Sequence, residues 1–256
     1  MTGKVRGQFC FAALLGAVWT FGAASAADLP ARMAVKAPPP PPMFNWTGFY
    51  LGVNVGGSWG HQDVSLVTAA GTLTNGNNVN GVIGGGQIGY NWQGYGSPWV
   101  FGIEADFQGS GQRATGSFVI PPVLGTVAPG VPGSSIAYED RLDWFGTVRG
   151  RIGWAMGDQG RFLPYITGGL AYGQNNINGT GTAAGVPVAF NASHTDVGWT
   201  VGAGIEWAMW DRWSAKLEYL YIDFGNGPSV ALAPGFAITT THLTDNIGRV
   251  GVNYRF

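Results

Sequence analysis

The chain has 256 residues, of which 44 are Gly, 13% are aromatic and only 11% are charged, and its formal net charge is −1. Soluble domains average about 25% charged and about 7% Gly residues, and a nearly neutral chain offers no basic field for nucleic acid. After residue 26, no run approaches the roughly 18 apolar residues of a membrane-spanning helix. Many short segments rich in glycine and aromatic residues instead favour an all-β chain.

The start of the chain has the three parts of a secretory signal. Lys4 and Arg6 precede an apolar run, and the small residues 24–26 offer a cleavage site before Ala27. The apolar run is too short for a transmembrane anchor, so a signal peptide is predicted over residues 1–26. The single cysteine, Cys10, precedes the apolar run, which predicts neither lipidation nor a disulfide in the secreted chain.

A proline-rich segment follows over residues 27–45 and contains five consecutive prolines, Pro38 to Pro42. Such a run favours a stiff, extended polyproline conformation without a core of its own. It is predicted to be a spacer, with a peptide-recognition ligand as the alternative, and the folded domain is predicted over residues 46–256.

Period-two patterns then predict eight two-faced strands. In the segment WFGTVRGRIGW, Trp144, Val148 and Trp154 share one face, whereas Arg149 and Arg151 share the other. At helical period these residues form no stripe, and each glycine would weaken a helix by about 1 kcal/mol. The strands are predicted at about 47–59, 81–93, 98–109, 140–154, 162–173, 196–209, 212–223 and 245–256.

The predicted connections alternate in length. Short turns fall near 94–97, 155–161 and 210–211, and long polar loops near 60–80, 110–139, 174–195 and 224–244. Short turns on one side and long loops on the other are typical of outer-membrane barrels. The prediction is therefore an all-β, eight-stranded antiparallel up-and-down transmembrane β-barrel with both termini in the periplasm. Its apolar face meets lipid, because a closed barrel satisfies its backbone hydrogen bonds without water.

The opposite face of these strands is predicted to place charges in the lumen. An eight-stranded barrel is only wide enough for its interior side chains, so we expect a polar, largely filled interior. Buried charged side chains can be accommodated when they form ion pairs with one another. We therefore expect a structural ion-pair core, and a gated ion path is the functional alternative. The predicted lumen residues are Glu104, Asp106, Asp143, Arg149, Arg151, Glu206, Lys216, Glu218, Arg249 and Arg255.

The chain ends in RVGVNYRF. Arg249, Gly251, Tyr254 and the terminal Phe256 resemble the C-terminal signal that the outer-membrane barrel assembly machinery reads. Recognition by strand addition at an open sheet edge is the expected mode.

Eight segments, one for each predicted strand, resemble together the alpha-proteobacterial outer-membrane surface-antigen family of small OmpA-like barrels, often labelled porin-family or outer-membrane immunogenic proteins. The resemblance covers about residues 45–256. It implies an outer-membrane barrel of a Gram-negative bacterium with a structural, surface-exposed role. The segments are NWTGFYLGVNVGGSWG, GGGQIGYNWQ, FGIEADFQGSG, WFGTVRGRIGWA, PYITGGLAYG, GWTVGAGIEWA, WSAKLEYLYIDFG and VGVNYRF.

Several functions are weighed for such a barrel. The leading one is a structural surface protein whose long loops make extracellular contacts, with outer-membrane lipid and lipopolysaccharide as its partners. The alternative is a narrow porin for small ions or solutes. Capture of haemin or a metal by His61, His194 and His242 is a second alternative, since the resembling family includes reported haemin binders. No cofactor or metal is otherwise expected.

An enzyme is not expected. Ser193, His194 and Asp196 supply suitable residue types for a hydrolase, but neighbours in a strand point to opposite faces. A catalytic triad needs its members to converge in space. No catalytic residue is therefore assigned.

Overall fold

The computed structural model describes residues 43–68, 71–120, 134–183, 186–227, 229–233 and 236–256. Within these ranges, nine antiparallel strands form one sheet, and one short 3₁₀ turn, Asp158–Gly160, lies between the fourth and fifth strands. The strands are β1 Gly48–Thr68, β2 Gly71–Gln93, β3 Trp99–Ile120, β4 Ser134–Trp154, β5 Phe162–Ala183, β6 Val186–Ala208, β7 Trp213–Gly225, β8 Ser229–Ala233 and β9 Phe236–Arg255.

The sheet closes on itself. Each strand from β1 to β6 pairs with the next, β7 pairs with β9, and β9 pairs back onto β1, which makes a ring of eight strands. The five-residue β8 is an addition that pairs with β9 beyond the point where β7 ends. Closure removes the unpaired edges of an open sheet, and it confirms the predicted eight-stranded antiparallel barrel.

A band of apolar and aromatic side chains covers the outer wall. On β4, Trp154, Ile152 and Val148 are 41–43% exposed, and Trp144 lies ten residues from Trp154. Ten residues span about 33 Å along a strand, which a tilt near 40° reduces to roughly 25 Å, the height of the apolar band of outer-membrane barrels. Trp99 contacts Trp154 at a ring separation of 4.6 Å, and Trp144 contacts Tyr172 at 6.2 Å. Aromatic rings therefore border both edges of the band.

The strands run well beyond this band, and here the predicted loops are wrong. Most of the stretches 60–80, 110–120 and 174–195 belong to strands of 21 to 23 residues, about twice the length needed to cross a membrane. The extra length lies at the end opposite the turn at 94–97; we call the two ends the long-strand end and the short-turn end. The extension is stabilised by its own apolar interior, which contains Leu66, Phe118, Ile136, Tyr138, Ile177 and Ile238.

The lumen is layered along its axis. The apolar interior of the long-strand end is the first layer, and a second apolar layer that includes Phe145, Leu220 and Ile247 lies nearer the membrane band. At the short-turn end, Trp46 packs with Leu163 and Val100 as a third layer. Buried polar residues fill the levels between these layers.

The predicted signal peptide and most of the proline-rich segment lie outside the described residues. Within the described ranges, no helix has the length and hydropathy needed to cross a membrane.

Candidate functional site

Eight charged side chains meet in the lumen at the level of the apolar band. They come from β3, β4, β6, β7 and β9, and their side chains are only 0–3% exposed. We call this group the central cluster: Glu104, Asp106, Arg149, Arg151, Glu206, Lys216, Glu218 and Arg249.

Arg149 is the point at which three carboxylates converge. Its Nη2 lies 2.5 Å from Glu104 Oε1 and 2.9 Å from Asp106 Oδ2, and its Nη1 lies 3.2 Å from Glu218 Oε1. Glu104 and Arg149 are direct cross-strand partners on β3 and β4. The register of this one strand pair therefore places the first contact, and the closed ring brings β7 within reach of the same guanidinium.

Arg249 and Lys216 complete the inner part of the central cluster. Arg249 Nε donates to Glu218 Oε2 at 2.7 Å, and its Nη2 donates to Asp106 Oδ2 at 2.8 Å. Lys216 Nζ donates to both oxygens of Glu104 at 2.9 and 3.1 Å. Hydrogen-bonded pairing of this kind offsets the cost of removing the charges from water.

Arg151 links the central cluster to the short-turn end. Its Nη2 donates to Glu206 Oε2 at 2.7 Å, and its guanidinium lies 4.0 Å from the centre of the Tyr165 ring. Tyr50 donates its hydroxyl to Glu104 at 2.7 Å, and Tyr165 donates to Glu218 at 2.8 Å. The four acids and four bases of the central cluster thus balance, and two tyrosines satisfy further carboxylate oxygens.

The structure places two predicted lumen residues elsewhere. Asp143 lies on the outer face, where its carboxylate is 3.9 Å from Arg141 Nε and accepts a hydrogen bond from Asn176. The cause is a β-bulge between Leu142 and Trp144, which reverses the inward and outward alternation of β4. The prediction for Asp143 is therefore corrected.

Arg255 lies at the rim of the short-turn end and not in the central cluster. It donates to the backbone oxygens of Asn45 and Asp211, and its guanidinium lies 4.2 Å from the centre of the Phe44 ring. Its β9 neighbours Gly251 and Asn253 face the lumen, as strand alternation from Arg249 requires.

The residues just before β1 cover the short-turn mouth of the lumen. Trp46 is 2% exposed, and its indole donates to the backbone oxygen of Gly160 at 2.9 Å. Phe44 donates its backbone N–H to Gln159 and stacks edge-on against Trp46. The last residues of the predicted spacer, with Phe44, therefore pack together with Trp46 as a plug at this mouth.

A second polar level, which the sequence does not predict, lies in the long-strand half among residues of the second apolar layer such as Val79, Leu142 and Leu243. It contains Asp140 and Asp245, which are 3% and 2% exposed. Asp245 has the same odd position on β9 as Arg249, so alternation alone could have placed it in the lumen. For Asp140 no such signal exists, because the bulge in β4 lies between it and Arg149.

Among the described residues, His61, His194 and the Ser193–Asp196 stretch show no convergent site, and the side chain of His242 lies outside the described part of the chain. His61 and His194 lie in β1 and β6, not in loops, and their Nε2 atoms lie 3.4 and 3.7 Å from Asp63 and Asp196. In the part of the chain that the structure describes, no three His, Cys, Asp or Glu side chains are arranged to hold a metal. Those histidines therefore form local pairs on separate strands.

Together, the closed ring, the apolar outer band and the charged lumen define a transmembrane β-barrel. The chain matches the model of the outer membrane protein beta-barrel domain over residues 15–256. It belongs to this family of outer-membrane proteins.

Relatives of the chain are outer-membrane antigens and proteins. It is 35% identical over 234 residues to the 31 kDa outer-membrane immunogenic protein of Brucella melitensis, covering 83% of this chain and 85% of the relative. It is 31% identical to the 22 kDa outer membrane protein of Rhizobium leguminosarum bv. viciae, covering 73% and 68% of the two chains. Among solved structures, the outer membrane protease OmpT of Escherichia coli matches with a TM-score of 0.45 and 12% identity over 83% of this chain and 98% of that one.

Proposed function

We propose that the protein is a non-enzymatic structural and surface component of the outer membrane, with a lumen closed to solutes. The observation that carries this proposal is the burial of the central cluster, whose charged side chains are only 0–3% exposed. An aqueous channel would leave such charges in contact with water. Instead they neutralise one another, and apolar layers lie on both sides of them.

Two cavities that the described residues form in the lumen support the same proposal because they are small. The cavity beneath Trp46 and Arg255 has about 10 Å³ available to the centre of a water molecule, as does the cavity near Asp140 and Asp245. Each volume is enough for about one water. A continuous path for a hydrated solute would need the central cluster to rearrange.

Single-channel recording tests this proposal against the narrow-porin alternative. The protein is purified, folded in detergent and shown to be folded by its heat-modifiable gel mobility, then added to a planar bilayer. We expect no persistent open state at moderate voltage, because opening would separate buried ion pairs. A general diffusion porin in the same bilayer verifies the assay. Stable, reproducible conductance steps from the folded protein would support the porin and contradict a closed lumen.

We further propose that the short-turn end faces the periplasm and the long-strand end the extracellular space, where it meets lipopolysaccharide and surface partners. Short periplasmic turns and more extended extracellular segments are the rule for bacterial outer-membrane barrels. In this orientation both ends of the barrel chain are periplasmic. The exposed terminal Phe256 and its neighbour Tyr254, whose rings are 5.3 Å apart, would then be accessible to the assembly machinery in the folded barrel, whereas Arg249 would be accessible only before the barrel closes.

A pair of cysteine variants tests the orientation. Cys10 lies in the predicted signal peptide, so the secreted chain has no competing thiol. Thr72→Cys lies at the long-strand end, and Tyr95→Cys lies in the turn at the other end, where Tyr95 is fully exposed. We expect a membrane-impermeant maleimide to label the first variant on intact cells and the second only after the outer membrane is permeabilised. The reverse pattern would invert the proposed topology.

A further inference from the structure

The second polar level of the lumen surrounds a small cavity, to which Val79, Leu142 and Leu243 of the second apolar layer also contribute. Five polar side chains from five strands contribute to its wall: Gln62 on β1, Gln112 on β3, Asp140 on β4, Asn175 on β5 and Asp245 on β9. All five are 1–6% exposed. The cavity is therefore a buried polar compartment, separate from the central cluster.

This compartment holds two carboxyl groups without a matching cation. Within the described residues, no Lys, Arg or His nitrogen lies within 4 Å of the carboxylate of Asp140 or Asp245, whereas the four acids of the central cluster face four bases. Arg249 is four residues from Asp245 on β9, about 13 Å along the strand. The charged side chain that acts electrostatically on Asp140 is Asp196, which is itself an acid. Asp196 is paired with His194.

The environment of Asp140 resists an unpaired charge. Asp140 lies four residues beyond Trp144, outside the apolar band. Burial raises the pKa of Asp140 to about 6, although hydrogen bonds from Gln62 and Asn175 act in the opposite direction. A positive ion in the cavity would favour the ionised carboxylate.

The unsatisfied atoms on the cavity wall are oxygens. Gln112 Nε2 donates to Asp245 Oδ2 at 2.6 Å, and Gln62 Nε2 donates to Asp140 Oδ2. These amide donors are thereby used, whereas Asp245 Oδ1 and Asn175 Oδ1 are buried without a hydrogen-bond partner. A buried acceptor that lacks a partner costs about 1–3 kcal/mol. An occupant that offers positive charge to oxygen would satisfy both atoms.

We propose that this compartment is a binding site for one divalent, oxygen-preferring cation, of which Ca²⁺ fits best. Two carboxylates balance the charge of a divalent ion, and carboxylate and carboxamide oxygens are the ligands that Ca²⁺ takes in flexible geometry. Mg²⁺ usually keeps several waters, for which a cavity with room for about one water is too small. The bound ion would join β1, β3, β4, β5 and β9 above the membrane band.

Equilibrium dialysis against radioactive Ca²⁺ tests the site in the full-length secreted chain. The barrel is refolded in detergent free of lipopolysaccharide, whose phosphates bind divalent ions, and dialysed for days because the apolar layer above the cavity slows exchange. We expect one Ca²⁺ per folded barrel, with Mg²⁺ competing at least tenfold less effectively. Asp140→Asn and Asp245→Asn should each weaken binding at least tenfold.

Asp143→Asn is the matched control, because Asp143 lies on the same strand as Asp140 but faces outward. This variant should bind Ca²⁺ as the unaltered protein does. Heat-modifiable gel mobility confirms that each variant is folded, and the stoichiometry of the unaltered protein decides the question even if a variant fails to fold. No saturable Ca²⁺ binding up to about 10 mM, or binding that Asp143→Asn weakens as much as Asp245→Asn, would show that the cavity holds only water.

Discussion

Replacing Arg149 with methionine is expected to lower the free energy of unfolding by about 3–5 kcal/mol, since the change leaves buried carboxylates without their shared partner. Arg149 lies within 3.2 Å of Glu104, Asp106 and Glu218 and has a side chain that is 0% exposed. Methionine keeps most of the aliphatic stem, so the loss reports chiefly on charge. Urea-induced unfolding in phospholipid vesicles, followed by tryptophan fluorescence, measures the effect.

Arg141→Met provides the control for this experiment. Arg141 lies on the same strand, but its Nε is 3.9 Å from Glu139 and from Asp143, and its side chain is 37% exposed. Exposed pairs of this kind contribute about 0–1 kcal/mol. An equal loss in Arg141→Met and Arg149→Met would contradict the idea that the central cluster is held by mutual pairing.

The double variant Arg149→Met/Glu104→Gln separates pairing from packing. It removes one positive and one negative charge, so the central cluster is again neutral. We expect the double variant to be at least about 1 kcal/mol more stable than the sum of the two single losses predicts, because residues in one network couple. Strict additivity would mean that the two side chains contribute independently.

The strands that cross the membrane could be predicted because both faces of each strand meet a uniform environment. On β4, Trp144, Val148 and Trp154 face lipid and are apolar, whereas Arg149 and Arg151 face the lumen and are charged. The alternation is therefore clear in the sequence. Beyond the band the outer face meets water. Polar residues such as Asn78 and Thr72 are then acceptable in a strand, and the sequence resembles a loop even though the backbone ladder continues.

Register beyond the band was harder to predict because bulges interrupt the alternation. Among the described residues, five strand pairs contain a register shift, at Gln62/Asp63, Gly109/Gln112, Leu142/Trp144, Asp223/Gly225 and Ala231/Ala233. On β4 the shift exchanges the inward and outward faces, because Phe145 and Arg149 face the lumen at odd positions whereas Leu142 and Asp140 face it at even positions. A bulge has no signature in these residue types, so alternation from Arg149 predicts Asp143 inward and Asp140 outward. Eight of the ten predicted lumen residues lie below these shifts and do meet in the central cluster.

Val148→Arg is expected to lower the free energy of unfolding in lipid by about 2–4 kcal/mol, because it places a guanidinium near the middle of the apolar band. Val148 faces outward, is 43% exposed, and lies four residues from Trp144 and six from Trp154. Arg149, the next residue, is tolerated only because it faces the lumen and its paired acids. The two neighbouring positions thus test which face of the wall meets lipid.

Val119→Arg is the matched control, since it makes the same substitution on the outer wall but outside the band. Val119 is 73% exposed on β3 and lies twelve residues beyond Phe107, about 40 Å along the strand. Water surrounds this position, so the change should cost less than about 0.5 kcal/mol. The cost of Val148→Arg should also fall in vesicles of shorter-chain lipids, because the charge then lies nearer to the interface, whereas Val119→Arg should not respond to lipid length. Equal costs for both variants in every lipid would place Val148 outside the hydrocarbon and displace the membrane from the band between Trp144 and Trp154.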